Sequence, residues 1–237
     1  MVKCLNNEIT EDTLLQRIGI IRENIRTAAL SGGFDPQKVR LMAVTKYVGA
    51  EAVLRAVQAG ITLIGENREQ ALSQKLPLLP REQLQVHFIG HLQRNKAARV
   101  VRMVDMVESL DSPALAAELE KQAAALEKTL PVLIEVNIGK DSNKSGIAPE
   151  TAAGFAESLQ AFPHLQLRGL MTILPLGAAQ IETERYFSQM HALYVDIQEK
   201  NRDNGNIDCL SMGMSGDYKL AVKYGANLVR LGTVLFS

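Results

Sequence analysis

Lys46 follows directly on the apolar run Leu41-Met42-Ala43-Val44 and Thr45. At the end of such a run an ammonium is partly desolvated, which favours the neutral amine, the form that attacks a carbonyl to give a Schiff base. A lysine that snorkels to solvent is the plainer alternative for this tripeptide taken alone. Towards the other end of the chain, Ser211-Met212-Gly213-Met214-Ser215-Gly216-Asp217-Tyr218 carries two glycines that allow close backbone approach. Ser215 stands at the N-cap position of a helix reaching Tyr224. A helix start offers unpaired N–H groups and a positive dipole end, which together suit an anion. Next comes Val229-Arg230-Leu231-Gly232-Thr233. Strand alternation puts Arg230 and Gly232 on one side. Gly232 leaves room for a phosphate oxygen near the backbone, and the Thr233 hydroxyl can donate to it. An inward arginine is costly without an acceptor, which motivates a ligand there.

Other polar residues are more ambiguous. Asn67, in Gly65-Glu66-Asn67-Arg68-Glu69-Gln70, either caps the following helix or points its amide inward. His87 and His91 are four residues apart, but a metal pair at that spacing needs both on one helix. Here the first falls in a strand and the second follows Gly90, which argues against zinc. Arg94, Lys96, Arg99 and Arg102 form a basic stretch with no acid among them, read as a solvated helix face, with an anion patch as the alternative.

These residues need a scaffold. Thr10 can cap a helix from about Glu11 to Leu30, with Leu14, Ile18, Ile21 and Ile25 at helical spacing and Leu15 beside them, stopped by Ser31-Gly32-Gly33. From Leu41 onward, short β-branched runs alternate with amphipathic stretches. The expected strands are Leu41–Thr45, Thr62–Gly65, Val86–Ile89, Asp105–Ser109, Val132–Val136, Gln166–Met171, Asp208–Ser211 and Leu228–Leu231. The clearest helices between them are Pro113–Lys128, Thr151–Gln160 and Thr183–Asn201. Such alternation calls for parallel strands with helical crossovers. Eight units closing on themselves make a (β/α)8 TIM-type barrel, with an open doubly wound sheet as the rival. The last strand leaves no room for a helix after it, so the N-terminal helix is expected to pack in the place of the last barrel helix. Residues 1–40 are read as helix and connector and 41–237 as the barrel, one domain overall. In such a barrel phosphate sits most often at the loops after strands seven and eight. Those are the loops of Ser215 and Gly232. With a lysine ending strand one, the pattern points to a phosphorylated carbonyl compound.

Composition narrows the class of protein. In 237 residues, 26 Lys+Arg balance 26 Asp+Glu, and 46% of residues are hydrophobic. Zero net charge argues against nucleic-acid and anionic-membrane partners. Cys4 and Cys209 are too few for a disulfide framework and suit a reducing cytoplasm. No secretory leader or membrane-spanning run is evident. A cytoplasmic monomer is the expected state.

Taken together, Ala43-Val44-Thr45-Lys46, Gly65-Glu66-Asn67, His87-Phe88-Ile89-Gly90-His91-Leu92-Gln93, Ser211-Met212-Gly213-Met214-Ser215 and Val229-Arg230-Leu231-Gly232-Thr233 resemble the pyridoxal phosphate homeostasis proteins. Those proteins are similar to the barrel domain of alanine racemase. Asn137, Ser142-Asn143-Lys144-Ser145-Gly146 and Gly169-Leu170-Met171-Thr172 also match the pattern. The resemblance implies that Lys46 forms an internal aldimine with pyridoxal 5′-phosphate. It implies that Ser215, Gly232 and Thr233, with Gly216 beside them, hold the phosphate. Arg230 would face the pyridine nitrogen, and Asn67 and Met214 would line the ring. Departures from the pattern are Tyr47-Val48 after the lysine, Ala226-Asn227 before the last strand and the stop at Ser237.

The resemblance further implies a non-catalytic carrier that buffers or delivers the cofactor in vitamin B6 homeostasis, with apo-enzymes as transient acceptors. Alanine racemase uses a second domain that supplies a tyrosine as the opposite base, and two-base racemization needs an acceptor on each face. Eight units of about 25 residues each occupy residues 41–237 and leave none for that domain. The alternative is a pyridoxal-phosphate enzyme such as an amino-acid racemase, with Tyr47, Tyr218, His87 or His91 as the second group. A barrel enzyme joining Lys46 to a phosphorylated sugar is a more distant third.

Overall fold

The computed structural model describes residues 9–141, 143–175, 177–201 and 207–237. Cys4 and Ser142 lie outside the described residues. Eight parallel strands close into a barrel in sequence order. They are β1 (Arg40–Val44), β2 (Leu63–Glu66), β3 (Gln85–Phe88), β4 (Met106–Leu110), β5 (Leu130–Glu135), β6 (Leu165–Met171), β7 (Cys209–Ser211) and β8 (Leu228–Leu231). β8 pairs with β1 in register from Arg40↔Leu228 to Ala43↔Leu231, and that seam excludes the open sheet.

Side-chain alternation sorts each strand into two cores. Met42, Leu63, Met106, Leu133, Met171, Cys209 and Leu228 fill the barrel's apolar floor. Ala43, Ile64, Val86, Val107, Val132, Leu170, Leu210, Val229 and Leu231 face outward into the larger core beneath the helices. Two residues beyond the floor, the same inward rows become polar: His87, Glu108, Ser211 and Arg230 are all buried. The barrel is therefore apolar below and charged at its C-terminal mouth.

The outer helices are α1 (Glu11–Gly32), α2 (Ala50–Gln58), α3 (Glu69–Lys75), α4 (Ala97–Met103), α5 (Pro113–Ala124), α6 (Ala152–Ser158), α7 (Gln180–Lys200), α8 (Tyr218–Lys223) and α9 (Thr233–Phe236). α1 starts as the sequence predicts, with the Thr10 hydroxyl accepting from the Thr13 N–H. It ends on Gly33 at φ 77°, a left-handed cap that glycine adopts without strain. Leu14, Ile18, Ile21 and Ile25 form its buried stripe. α1 lies between α8 and α2, in the place a last barrel helix takes. Arg17 Nη1 donates to the Leu235 carbonyl at 2.6 Å, and Asn24 Nδ2 donates to the Tyr218 hydroxyl at 2.9 Å. One turn, α9, does follow β8, where the sequence predicts no helix at all.

Element ends move by a few residues. α5 stops at Ala124, short of the predicted Lys128, because the chain turns at Glu127, which takes φ 50°. Lys128 turns back instead, donating to the carbonyls of Val101 (2.6 Å) and Val104 (3.1 Å) at the end of α4. Among the described residues no helix is long and apolar enough to cross a membrane.

Candidate functional site

The mouth is organised by charged residues buried beside the strand ends. Lys75 Nζ on α3 donates to Glu66 Oε2 at 2.7 Å and to the Thr45 carbonyl at 2.6 Å. The Thr45 hydroxyl also donates to Glu66 Oε2, at 3.1 Å, and the Asn67 N–H to Glu66 Oε1, at 3.0 Å. This outward-facing cluster pins the ends of β1 and β2 together and leaves the next residues, Lys46 and Asn67, to line the cavity. Lys46 is exposed, in contrast to the partial desolvation expected from its apolar run. The reason is that β1 ends at Val44, so Lys46 stands in the turn above the last ladder residue. Its Nζ lies 5.0 Å from the centre of the Tyr47 ring.

A cavity of about 570 Å³ opens at this end of the barrel. Lys46, Asn67, Met214, Ser215, Gly216, Arg230, Gly232 and Thr233 all line it. So do Glu135, Lys144, Tyr47 and His91. Among the described residues Asn67 Oδ1 is occluded and has no hydrogen-bond partner, a polar atom that a ligand in the cavity could satisfy. Tyr218, by contrast, is buried against α1 and lines a separate groove.

Under the cavity runs a buried polar chain. Arg230 Nη1 donates to Ser211 Oγ at 2.6 Å, and Nη2 donates to the Thr172 carbonyl at 2.6 Å. Ser211 Oγ donates to Glu108 Oε2 at 2.6 Å, and His87 Nδ1 lies 2.6 Å from Glu108 Oε1. Burial works against the Glu108 charge, but His87, Arg230 and Ser211 outweigh it and hold the carboxyl below its ordinary value. Burial likewise lowers Arg230, opposed by Glu108, Glu135 and Asp217. His87 thus belongs to this chain of bonds, whereas His91 Nδ1 sits at the rim, 3.1 Å from Asp111 Oδ2 and 3.1 Å from Ser145 Oγ.

At the opposite wall, the loops after β7 and β8 meet. Ser215 Oγ accepts from the N–H groups of Gly232 (3.2 Å) and Val234 (3.3 Å). Ser215 is therefore not the cap of the following helix. α8 begins at Tyr218, preceded by Asp217, whose Oδ1 accepts from the Met214 N–H at 2.6 Å and so closes the turn. A Cβ added at Gly232 would meet nothing nearer than the Val44 carbonyl oxygen at 3.5 Å, and one at Gly216 nothing within 4 Å. Packing leaves open space at both positions, the kind of cradle a phosphate can enter.

Glu135 and Lys144 complete the wall. Glu135 was legible in principle, since it alternates with the inward Leu133 at the end of β5. Its carboxyl is pushed up to about 7 by burial and by Asp111, against the pull of Arg230 and Lys144. A carboxyl raised in this way contributes stability below its unfolded value, and that contribution is lost as pH rises through 7. Glu135→Gln is therefore expected to match the wild type in thermal stability near pH 4.5 and to exceed it at pH 8. The gain is about 3 kcal/mol, or roughly 6–12 °C for a chain of this size. Melting curves at the two pH values check this. In the basic stretch, Arg94, Arg99 and Arg102 are exposed, as expected for a solvated face, and Arg99 reaches Glu69 at 3.4 Å. Cys209 is a free, buried thiol that burial pushes up from its ordinary value.

A closed parallel barrel with a mouth lysine, a buried arginine and open loops after β7 and β8 defines an alanine-racemase-type barrel protein. The family model described as "Alanine racemase, N-terminal domain" matches residues 18–237. The chain belongs to that family and, within it, to the pyridoxal phosphate homeostasis proteins. It is 37% identical to the pyridoxal phosphate homeostasis protein of Pasteurella multocida over 227 residues, covering 94% of this chain and 97% of the other. PipY of Synechococcus elongatus PCC7942, solved with PLP bound, superposes with a TM-score of 0.81 at 33% identity, covering 94% of this chain and all of that one (100%). Alanine racemase from Corynebacterium glutamicum shares the fold, with a TM-score of 0.64 at 19% identity over 96% of this chain and 61% of its own.

Proposed function

We propose that the chain binds pyridoxal 5′-phosphate in this cavity and buffers or delivers it in the cytoplasm, without robust turnover. The observation that carries this is that the eight residues expected to bind the cofactor, drawn from the ends of four strands, line one cavity. The related chains named for pyridoxal phosphate homeostasis, and PipY with PLP bound, support the same ligand. When bound, the cofactor supplies an aldehyde that condenses with an amine and a ring that accepts electrons.

Lys46 is the amine. Ser215, Gly216, Gly232 and Thr233 take the phosphate, the Ser215 and Thr233 hydroxyls as donors beside the open space at the two glycines. Asn67 and Met214 border the ring. Arg230 faces the ring nitrogen and, as a permanent donor, leaves that nitrogen unprotonated. An unprotonated ring withdraws electrons poorly, which favours holding and handing over the cofactor above carbanion chemistry. Apo-enzymes that use the same cofactor are the acceptors. Residues 1–40 serve as helix and connector to the binding barrel of 41–237, the whole working as one monomeric unit.

The substitution Gly232→Ala tests the phosphate wall. The methyl makes only ordinary contact with Val44, so stability is expected to change by less than about 1 kcal/mol. Affinity for the cofactor is expected to fall at least about tenfold, because the methyl takes the open space at Gly232 that the phosphate would enter. Titration followed by absorbance, with a melting curve as control, measures both.

Tyr47 and His91 line the same cavity and are the observation behind an enzymatic alternative. Incubation with L-amino acids in deuterated water decides between the two. A carrier exchanges the α-hydrogen far below the usual enzymatic range of about 1–1000 per second. Exchange within that range, lost in Lys46→Ala, would establish an enzyme.

A further inference from the structure

Glu135 ends β5 with its side chain in the cavity, only 6% exposed. Among the described residues its carboxyl forms no hydrogen bond or ion pair, although two cations stand close to it. Both cations are committed elsewhere. Arg230 gives Nη1 to Ser211 and Nη2 to the Thr172 carbonyl, each at 2.6 Å. Lys144 Nζ donates to the Leu174 carbonyl at 2.5 Å and approaches that of Ile173 at 3.5 Å.

The remaining neighbours do not compensate. From the loop after β4, Asp111 adds a like charge, itself bonded to His91 from the loop after β3. Glu108, on β4 beneath, is occupied by Ser211 and His87. The segment after β6 offers Thr172 and Ile173, which do not ionise. From the turn after β1, Lys46 and Tyr47 share the cavity, and in the proposed function the Lys46 amine is consumed by the ligand. Glu135 is thus a cavity carboxyl whose proton content is set by what else occupies the cavity.

We propose that Glu135 is a ligand-binding residue that takes up one proton from solvent when an anionic ligand enters the cavity, and faces that ligand as a neutral hydrogen-bond donor. This rests on the cofactor-binding function proposed above. The step is one carboxylate plus one proton giving one carboxylic acid, with no other bond changed. A second anion beside an unpaired, desolvated carboxylate is repulsive, and protonation removes the repulsion. By linkage, affinity for the phosphorylated ligand then falls as pH rises above neutrality, by up to about tenfold per pH unit. The cavity holds its cargo more firmly in mild acid and yields it more readily in mild base.

The test uses the full chain with two probes, pyridoxal 5′-phosphate and pyridoxine 5′-phosphate, the second having no aldehyde to join Lys46. Dissociation constants at pH 6, 7, 8 and 9 are measured for the wild type, Glu135→Gln and Glu135→Ala. Proton uptake is read by calorimetry in two buffers of different ionisation enthalpy. The ligand's own ionisations are common to all three proteins, so the differences between them isolate Glu135. The wild type is expected to weaken more steeply above pH 7 than either variant and to take up more protons at pH 8. Glu135→Gln, which mimics the neutral acid, is expected to bind about tenfold more tightly than the wild type at pH 9, a gain that a misfolded protein does not produce. Parallel pH profiles and equal proton counts, with binding intact, overturn the proton linkage and leave the cofactor site standing. Absence of binding of both probes to the wild type overturns both.

Discussion

Arg230→Ala is expected to lower the melting temperature by roughly 6–20 °C, the largest stability loss from any single change in the site. The arginine is only 3% exposed and Glu108 is fully buried (0%), so the substitution removes a buried cation whose charge supports Glu108 through Ser211 and leaves that carboxylate with His87 and Ser211 alone. Removing one charged member of such a buried network costs about 3–5 kcal/mol, mostly as the penalty of the groups left under-compensated. Each kcal/mol is worth about 2–4 °C in a chain of this size. The Thr172 carbonyl also loses its Arg230 donor, and Ser211 Oγ loses the hydrogen bond it accepts. The loss follows a definite pH course. Held below its ordinary value, Glu108 contributes stability above its unfolded value near 4.5, lost as pH falls through the folded one. Without Arg230 that acid-labile share shrinks, so wild type and variant converge in acid. Adding Glu108→Gln to Arg230→Ala should recover part of the deficit, since the stranded charge is then gone. Calorimetric melting curves of the two single variants and the double variant measure this. A double variant no better than Arg230→Ala would refute the coupling.

Lys46→Ala is expected to abolish the visible absorbance band that the wild type acquires with pyridoxal 5′-phosphate, and to weaken retention at least about a hundredfold. Stability should hardly move. Lys46 is exposed, and its one described aromatic contact, with Tyr47, is at 5.0 Å from the ring centre. Replacements of that kind usually stay within about 0.5 kcal/mol. The contrast between the two substitutions separates scaffold from chemistry. In the proposed function Arg230 supports both the fold and the ligand, whereas Lys46 supplies only the bond. Spectra of the two proteins after identical loading and gel filtration measure the effect, and a Lys46→Ala protein that keeps the band would show that another amine holds the ligand.

The barrel was largely legible in the sequence because its signals are local. Each strand carries its own β-branched run between turn residues, and α1 carries its own cap and stripe. All eight strands lie within two residues of where the pattern places them, and the residues expected to bind the cofactor meet in one cavity. What escaped depends on distant partners or on where a ladder stops. The bond from Ser211 to Glu108 joins residues 103 apart, and that from Arg230 to Thr172 residues 58 apart. No local pattern reports such pairs. Local pattern therefore offers Arg230 only a ligand as acceptor, while the fold also supplies Ser211 Oγ and the Thr172 carbonyl. Lys46 is exposed because β1 pairs only as far as Val44, a register fact. Ser215 looked like a cap from its neighbours alone, yet its hydroxyl binds the N–H groups of the adjacent β8 loop. Glu135 alternates inward like any strand residue, and its isolation becomes visible only when the nearby cations are seen to be engaged elsewhere.

The central claim, that this cavity holds pyridoxal 5′-phosphate through Lys46, meets its most direct test in reductive trapping. The full chain is loaded with the cofactor, reduced with borohydride, digested and analysed by peptide mass spectrometry. One stoichiometric pyridoxyl adduct is expected, on the peptide that carries Lys46, with proteolytic cleavage blocked at that residue. An adduct confined to other lysines, the cavity's Lys144 among them, or no stable adduct after loading, would contradict it.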